Sequence, residues 1–259
     1  MKSPIRSLTK ILWVVTILMM TGIIWMHGNQ LKGLKKQNLE YLPVDAFAQI
    51  ETNVLLSSEN SSDVIGAVGS GIVFYIDNDH SYILTANHVC IPPFYSRVLE
   101  VYGNQNVIVV NSIIDYSGQT RFADVVYNDE AKDLCILRAE GVWTEPVSLS
   151  STPPRIGQTA YSLSAPGGFF SPGMVPIFDG IYSGMINHPL DRDDIYTMPT
   201  QPGSSGAAVL NGDFEIIGVI HSAVYENSSI GIASTHEEVT DFLYGWEVLF
   251  GFRVHQDSM

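Results

Sequence analysis

Basic residues are scarce in this chain and concentrated at one end. The 259 residues include 13 Lys and Arg against 27 Asp and Glu, which gives a formal net charge of −14. Six of the basic residues precede the first acidic residue, Glu40, so the remainder of the chain holds 7 basic residues against all 27 acidic ones. A surface this acidic repels the phosphate backbones of DNA and RNA. The composition therefore predicts no nucleic-acid partner.

Cysteine is scarcer still, because Cys90 and Cys135 are the only two in the sequence. Two cysteines exclude a disulfide-dense secreted scaffold, a four-Cys zinc site and an iron–sulfur cluster with four Cys ligands. One disulfide at most can form. Two buried thiols that pack as small apolar groups are the alternative. The sequence indicates neither a metal ion nor an organic cofactor.

Long apolar runs are lacking except near the amino terminus. Residues 11–26 carry no charge, follow three basic residues, and have Trp13 and Trp25 near their ends, as at a membrane interface. At about 1.5 Å per residue the run spans roughly 24 Å, slightly less than a hydrocarbon core of about 30 Å. We predict an uncleaved signal-anchor at residues 1–28, a tether at residues 29–45, and a folded domain, residues 46–259, outside the cytoplasm. A cleaved signal peptide and a secreted domain are the alternative.

From residue 46 onward the pattern is that of an all-β protein. Short runs rich in Val, Ile, Tyr and Phe alternate with clusters of Gly, Pro, Asn and Asp, and no long helical period occurs before the end of the chain. The strand candidates include residues 71–76, 81–85, 107–114, 125–127, 134–138, 160–163, 180–186, 207–210 and 215–221.

Two connections organise this predicted domain. Asn211-Gly212 lies between apolar residues and predicts a hairpin with a type I′ turn, in which both central residues have positive φ. Residues 144–155, rich in Pro and Ser, divide the domain into two comparable halves. We therefore expect two small barrels, at about residues 46–145 and 156–250.

A helix is predicted at the carboxyl end. Thr235 and Glu238 have the spacing of a capping box, and apolar residues then recur at helical spacing, so the helix should pack on the sheet. Few residues follow the helix, and we expect no further module such as a PDZ domain there. The apolar positions are Val239, Phe242, Leu243, Trp246 and Phe250.

Three short segments carry the residues of an acyl-transfer site. Such chemistry needs a nucleophilic hydroxyl, an imidazole to take its proton, and a buried carboxylate to orient the imidazole. His88, Asp133 and Ser205 supply these groups, and each sits beside an apolar strand. Gly203, just before the serine, allows main-chain N–H groups to converge on one point as an oxyanion hole.

In these motifs the chain resembles the trypsin-like serine peptidases, in particular their HtrA-type and glutamyl-endopeptidase-like branches, over roughly residues 50–250. The order His, Asp, Ser is also that of the family. The α/β-hydrolases use another order and a Gly-x-Ser-x-Gly elbow, which fails here because residue 207 is Ala. The segments that match are Gly69-Ser70-Gly71-Ile72-Val73, Thr85-Ala86-Asn87-His88-Val89, Asp133-Leu134-Cys135-Ile136-Leu137, Ala165-Pro166-Gly167-Gly168, Asp179-Gly180-Ile181-Tyr182-Ser183-Gly184 and Pro202-Gly203-Ser204-Ser205-Gly206.

The resemblance implies a chymotrypsin-like fold of two six-stranded antiparallel barrels. It also implies that His88 is the general base, Asp133 its orienting partner and Ser205 the nucleophile, with the N–H groups of Gly203 and Ser205 as oxyanion donors. Two departures stand out. Ala207 and Ala208 replace the usual Gly-Pro, and Ser204 replaces the usual acid or Asn, so activation by pairing a new amino terminus with an acid there is not available.

By the same resemblance, the pocket for the residue before the scissile bond is lined by three segments: residues 199–201, residues 220–223 and the loop after Gly180. No acid stands at its expected base, which argues against a preference for Lys or Arg. His221 has two interpretations: a specificity residue, as in glutamate-selective relatives, or a structural histidine, because it lies one residue later than theirs and so faces the other side of the strand. The substrate-binding residues we predict are Pro199, Thr200, Gln201, His221, Ser222 and Ala223.

Three hypotheses about function follow, and the least favoured of them is a non-catalytic, membrane-anchored β-rich interaction protein in which the three motifs are coincidental. The first is a membrane-tethered serine endopeptidase that acts on polypeptides through an acyl-enzyme. The second is a catalytically silent protein of the same fold that binds extended peptides along its cleft.

Overall fold

The structure, a computed structural model, describes residues 42–57, 62–102, 107–187, 192–224 and 227–251. The predicted anchor and most of the predicted tether lie outside these residues. Among the helices within the described ranges, none has both the length and the apolar character needed to cross a membrane.

Twelve strands form two closed, six-stranded antiparallel barrels, as predicted. The first barrel has the strand order β1-β2-β3-β6-β5-β4, and the second has the order β10-β11-β12-β9-β8-β7. In the first barrel the strands are β1 Phe47–Ser57, β2 Ser62–Ile76, β3 His80–Ala86, β4 Val107–Asp115, β5 Thr120–Asp129 and β6 Leu134–Glu140. In the second they are β7 Thr159–Leu163, β8 Ile177–Asn187, β9 Arg192–Thr197, β10 Ala208–Leu210, β11 Ile216–Val224 and β12 Asn227–Ser234.

In the part of the chain that the structure describes, the helices are few and mostly short. Two α-helices, Asn87–Cys90 and Tyr95–Tyr102, follow β3, and 3-10 turns occur at Val44–Ala46 and Pro166–Gly168. The carboxyl-terminal helix spans His236–Phe250.

That terminal helix begins at the predicted capping box. The Thr235 hydroxyl accepts the N–H of Glu238, and the Glu238 side chain accepts the N–H of Thr235. Trp246 is fully buried, and its ring lies 5.3 Å from those of Phe74 and Tyr82. The helix therefore packs on strands of the first barrel. Its last apolar residue, Phe250, is 46% exposed.

The predicted hairpin connects β10 to β11, but the predicted type I′ turn is wrong. Neither Asn211 nor Gly212 has a positive φ; Phe214 does, at +64°. The Asn211 side-chain oxygen accepts the N–H groups of Asp213 and Glu215 at 2.9 and 3.0 Å. The Asn211 side chain thus holds together a turn longer than the two-residue type I′ turn. In this longer turn the left-handed residue is Phe214, three positions after Asn211.

Candidate active site

His88 and Asp133 meet because β3 and β6 are antiparallel neighbours. Ala86, the last residue of β3, pairs with Leu134, the first residue of β6. His88 lies two residues beyond the end of β3, and Asp133 lies one residue before the start of β6. The His88 Nδ1 atom lies 2.7 Å from Asp133 Oδ2, and the His88 main-chain N–H donates to Asp133 Oδ1 at 2.9 Å.

The turn before β6 fixes the main chain of Asp133. Its φ is +50°, a left-handed value that a non-glycine residue rarely adopts. The Asp133 carbonyl accepts the N–H of Asn87 at 3.0 Å. The side chains of His88 and Asp133 are 31% and 29% exposed, so the carboxylate is partly open to solvent rather than buried as expected.

Cys90 and Cys135 form a disulfide, with Cα atoms 6.6 Å apart. Both residues are fully buried. Cys90 ends the helix that carries His88, and Cys135 lies two residues beyond Asp133. The disulfide therefore links the two elements that hold the His–Asp pair.

Ser205 lies in a loop of the second barrel, residues 202–206, here called the serine loop. Gly203 and Gly206 have φ values of +95° and +84°, which glycine adopts without strain. The Ser205 hydroxyl lies 3.4 Å from the main-chain oxygen of His221.

The serine loop packs tightly on the first barrel at the end of β3. A Cβ on Gly206 would collide with the Thr85 hydroxyl and lie 3.0 Å from Ala86 N. A Cβ on Gly69 would lie 2.5 Å from a Val89 methyl carbon and 3.1 Å from Ser205 O. Glycine at these positions lets Ser205 approach the segment that carries His88.

A cavity of about 620 Å³ opens beside Ser205. Four of the predicted substrate-binding residues line it: Thr200, Gln201, Ser222 and Ala223. Pro199 and His221 are not among the lining residues. None of the described lining residues is charged. Sequence analysis missed four lining residues, whose types carry no distinctive signal: Pro202, Val224, Asn227 and Ser228.

The His221 side chain points to Asp193 instead. Its Nε2 atom lies 3.0 Å from Asp193 Oδ1, and the two side chains are 19% and 16% exposed. The register of β11 against β12 shifts between Ile220 and Ser222. Thus His221 contributes its main-chain oxygen beside Ser205, while its imidazole is engaged elsewhere. Among the residues that the structure describes, no group of three or more His, Cys, Asp or Glu side chains could hold a metal ion.

The paired barrels, with His88 and Asp133 in one and Ser205 in the other, define a protein of the chymotrypsin fold. The chain belongs to the trypsin-like peptidase domain family, whose model matches residues 69–219. It is 29% identical over 184 residues to the serine protease Do-like HtrB of Bacillus subtilis, a match that covers 66% of this chain and 36% of HtrB. It is 25% identical over 193 residues to the protein named serine protease HtrA-like of Staphylococcus epidermidis. That match covers 68% of this chain and 30% of the relative.

Solved structures share the fold. The HtrA-type protease AlgW with a decapeptide has a TM-score of 0.62 at 17% identity, covering 81% of this chain and 66% of that one. The Rv3671c protease from M. tuberculosis in its active form has a TM-score of 0.57 at 18% identity, covering 78% and 83%. Both curated relatives are named serine proteases. The chain matches only about a third of their length.

Proposed function

We propose that this protein is a serine endopeptidase that uses His88, Asp133 and Ser205 as a catalytic triad. The observation that carries the proposal is the double hydrogen bond between His88 and the Asp133 carboxylate. A carboxylate held on Nδ1 leaves Nε2 as the proton acceptor, which is what a serine nucleophile needs. Ser205 stands at the rim of an uncharged cavity, where the side chain preceding the scissile bond would lie.

The reaction proceeds in two stages. Ser205 Oγ exchanges its contact with His221 O for His88 Nε2, transfers its proton there and attacks the substrate carbonyl carbon. The oxygen that gains charge accepts hydrogen bonds from the N–H groups of Gly203 and Ser205. His88 then protonates the leaving amine, the C–N bond breaks, and an acyl-enzyme remains. Water, deprotonated by His88, then attacks the ester carbon. The bond from that carbon to Ser205 Oγ breaks, the carboxylic acid product leaves, and Ser205 Oγ takes back a proton from His88.

The cavity favours an uncharged substrate side chain. Its polar lining consists of hydroxyl and amide groups, and Ala223 and Val224 add apolar surface. A Lys or Arg side chain would enter without a carboxylate to pair with, which costs free energy. We therefore assign Thr200, Gln201, Ser222 and Ala223 to substrate binding, and propose uncharged residues before the cleaved bond.

We also propose that residues 11–26 tether the peptidase to a membrane with the domain outside the cytoplasm. The disulfide between Cys90 and Cys135 supports this location, because disulfides persist in oxidising compartments. A secreted domain, released by cleavage after the apolar run, accounts for the same disulfide.

A peptide-library digestion with the full-length chain, kept soluble in mild detergent, tests the proposal. We expect cleavage within peptides, with uncharged residues before the cleaved bond, and loss of cleavage in Ser205→Ala. Ser183→Ala, a change at an exposed serine of β8, is the matched control and should cleave like the parent. Library peptides that bind but stay intact would instead favour the silent peptide-binding hypothesis.

A further inference from the structure

We infer that Ser70, a residue of the first barrel, is a positioning residue that holds the oxyanion donors of the serine loop in place. This inference rests on the proposed function. Ser70 is fully buried on β2. Its side chain and its main chain both reach the serine loop, although 135 positions separate it from Ser205.

The Ser70 hydroxyl bridges two loops of the second barrel. It donates to the Gly203 carbonyl at 2.8 Å and accepts the N–H of Ala165 at 2.9 Å. The Ser70 main-chain N–H donates to the Ser205 carbonyl at 2.8 Å. Its carbonyl accepts the Thr85 hydroxyl at 2.7 Å, on the strand that leads to His88. Ser70 thus joins the serine loop to β3, the strand that leads to His88.

These bonds complete the fixation of the serine loop. Each carbonyl at positions 202–205 accepts a hydrogen bond. Pro202 O accepts the N–H of Gly167 at 2.6 Å, and Ser204 O accepts the N–H of Ala207 at 3.1 Å. Gly203 O accepts the Ser70 hydroxyl, and Ser205 O accepts the Ser70 N–H. Ser70 supplies two of the four. The C=O and N–H of a trans peptide point in opposite directions, so a held carbonyl also aims the N–H of the next residue.

Gly203 is the weak point of this arrangement. Glycine populates positive and negative φ about equally, so the peptides on either side of Gly203 can rotate at little cost unless their carbonyls are held. The Pro202 carbonyl accepts the N–H of Gly167, so the Gly203 N–H, in the same peptide as that carbonyl, points away from Gly167. Gly203 O is held by the Ser70 hydroxyl. Without that hydroxyl, the peptide between Gly203 and Ser204 would keep only the bond from the Ser204 N–H to Gln201 O, at 2.8 Å. Rotation of this peptide about Gly203 would shift the Ser205 N–H relative to the Gly203 N–H and so separate the two oxyanion donors.

The simpler alternative is that Ser70 is a buried hydroxyl that only stabilises the fold. Ser81 provides a matched control, because it is also fully buried in the first barrel and its hydroxyl also donates to a glycine carbonyl, that of Gly141, at 2.8 Å. Ser81→Ala and Ser70→Ala remove the same group from equally buried positions. A purely structural role predicts equal effects on catalysis.

The experiment measures kcat and KM on a cleaved peptide, and the affinity for a peptide aldehyde that forms a tetrahedral adduct on the serine. All variants are full-length and are assayed where circular dichroism shows them fully folded. For Ser70→Ala we expect kcat to fall about 10- to 100-fold, KM to change less than about twofold, and aldehyde affinity to fall by the same factor as kcat. Ser81→Ala should keep all three values.

Thr85→Val is a second variant that removes a hydrogen bond to Ser70 O while keeping side-chain size, and it covers the case in which Ser70→Ala does not fold. We expect its kcat to fall severalfold with KM unchanged. If Ser70→Ala folds and keeps the parental kcat, the inference is overturned and the proposed function stands. If only Thr85→Val folds, parental kcat in Thr85→Val has the same meaning. Absence of cleavage by both the parent and Ser81→Ala would overturn the proposed function, and the inference with it.

Discussion

His88 makes two hydrogen bonds to the same carboxylate of Asp133, one from its main chain and one through its imidazole. The main-chain bond anchors the carboxylate at the start of the helix Asn87–Cys90, and the imidazole then meets an oxygen whose position is already set. The ring is therefore oriented even though both side chains remain about 30% exposed.

This relationship predicts the effect of Asp133→Asn. The amide can accept the His88 N–H but cannot hold the same imidazole tautomer, so kcat should fall by about 10⁴. The free energy of unfolding should change by no more than about 1 kcal/mol. Kinetics and urea unfolding measure the two effects. Asp129→Asn, in the same turn, is the control and should retain parental kcat, because Asp129 caps only the N–H groups of Ala131 and Lys132.

The cavity beside Ser205 predicts a change of specificity in Ala223→Leu. A larger side chain on the lining narrows the cavity, so KM should rise about tenfold for substrates with a large residue before the cleaved bond. Substrates with Ala at that position should be nearly unaffected. Ala123→Leu, at a half-buried alanine of β5, should change neither. Equal losses on small and large substrates would show that Ala223 does not line the specificity pocket.

The disulfide predicts a large contribution to stability. It spans 45 residues, and closing a loop of that length stabilises a domain by about 3–4 kcal/mol in the chain-entropy account. The double variant Cys90→Ala/Cys135→Ala should lose stability of this order in urea unfolding. A reductant should destabilise the parent similarly and leave the double variant unchanged. If the reductant, added while the chain is unfolded in urea, leaves the stability of the parent unchanged, the result would argue against the disulfide.

Asp115 predicts a pH dependence of stability. Burial alone would raise the pKa of its carboxyl, but hydrogen bonds from Ser117, Arg121 and Gln119 outweigh burial and hold that pKa below its usual value. The unfolded chain therefore takes up the proton first. The stabilisation is fully present above the unfolded pKa of about 3.9 and is lost as pH falls through the folded pKa.

At pH 7, Asp115→Asn should lower the free energy of unfolding by about 1–3 kcal/mol, and the difference from the parent should shrink as the pH falls below about 4. Asp124→Asn breaks an exposed pair with Arg138 and should cost less than about 1 kcal/mol. A pH-independent difference for Asp115→Asn would contradict the assignment.

The sequence predicted the two barrels and nine of the strands because those strands contain apolar runs. The three strands it missed are β1, β9 and β12. Strand β9 begins with Arg192-Asp193-Asp194 and β12 with Asn227-Ser228-Ser229. Strands β9 and β12 are each hydrogen-bonded to a neighbour on both sides, so tertiary pairing outweighs the weak local β preference of their polar residues.

Motif order identified the residues of the candidate site, but contacts between distant segments could not be predicted from it. Spacing placed His221 near the site, and the irregular register of β11 decided where its imidazole points. Ser70 stood within the recognised Gly69-Ser70-Gly71 segment. Its signal was a hydroxyl between two glycines on a buried strand, and its partners lie 95 and 133 positions away.

Labelling with a fluorophosphonate, read by intact mass, is the most direct test of Ser205 as an activated nucleophile. We expect the folded, full-length parent to gain one adduct, Ser205→Ala to gain none, and His88→Ala to react at least about 100-fold more slowly. Ser183→Ala should label at the parental rate. Labelling that persists in Ser205→Ala, or a folded parent that takes up no label, would contradict the account.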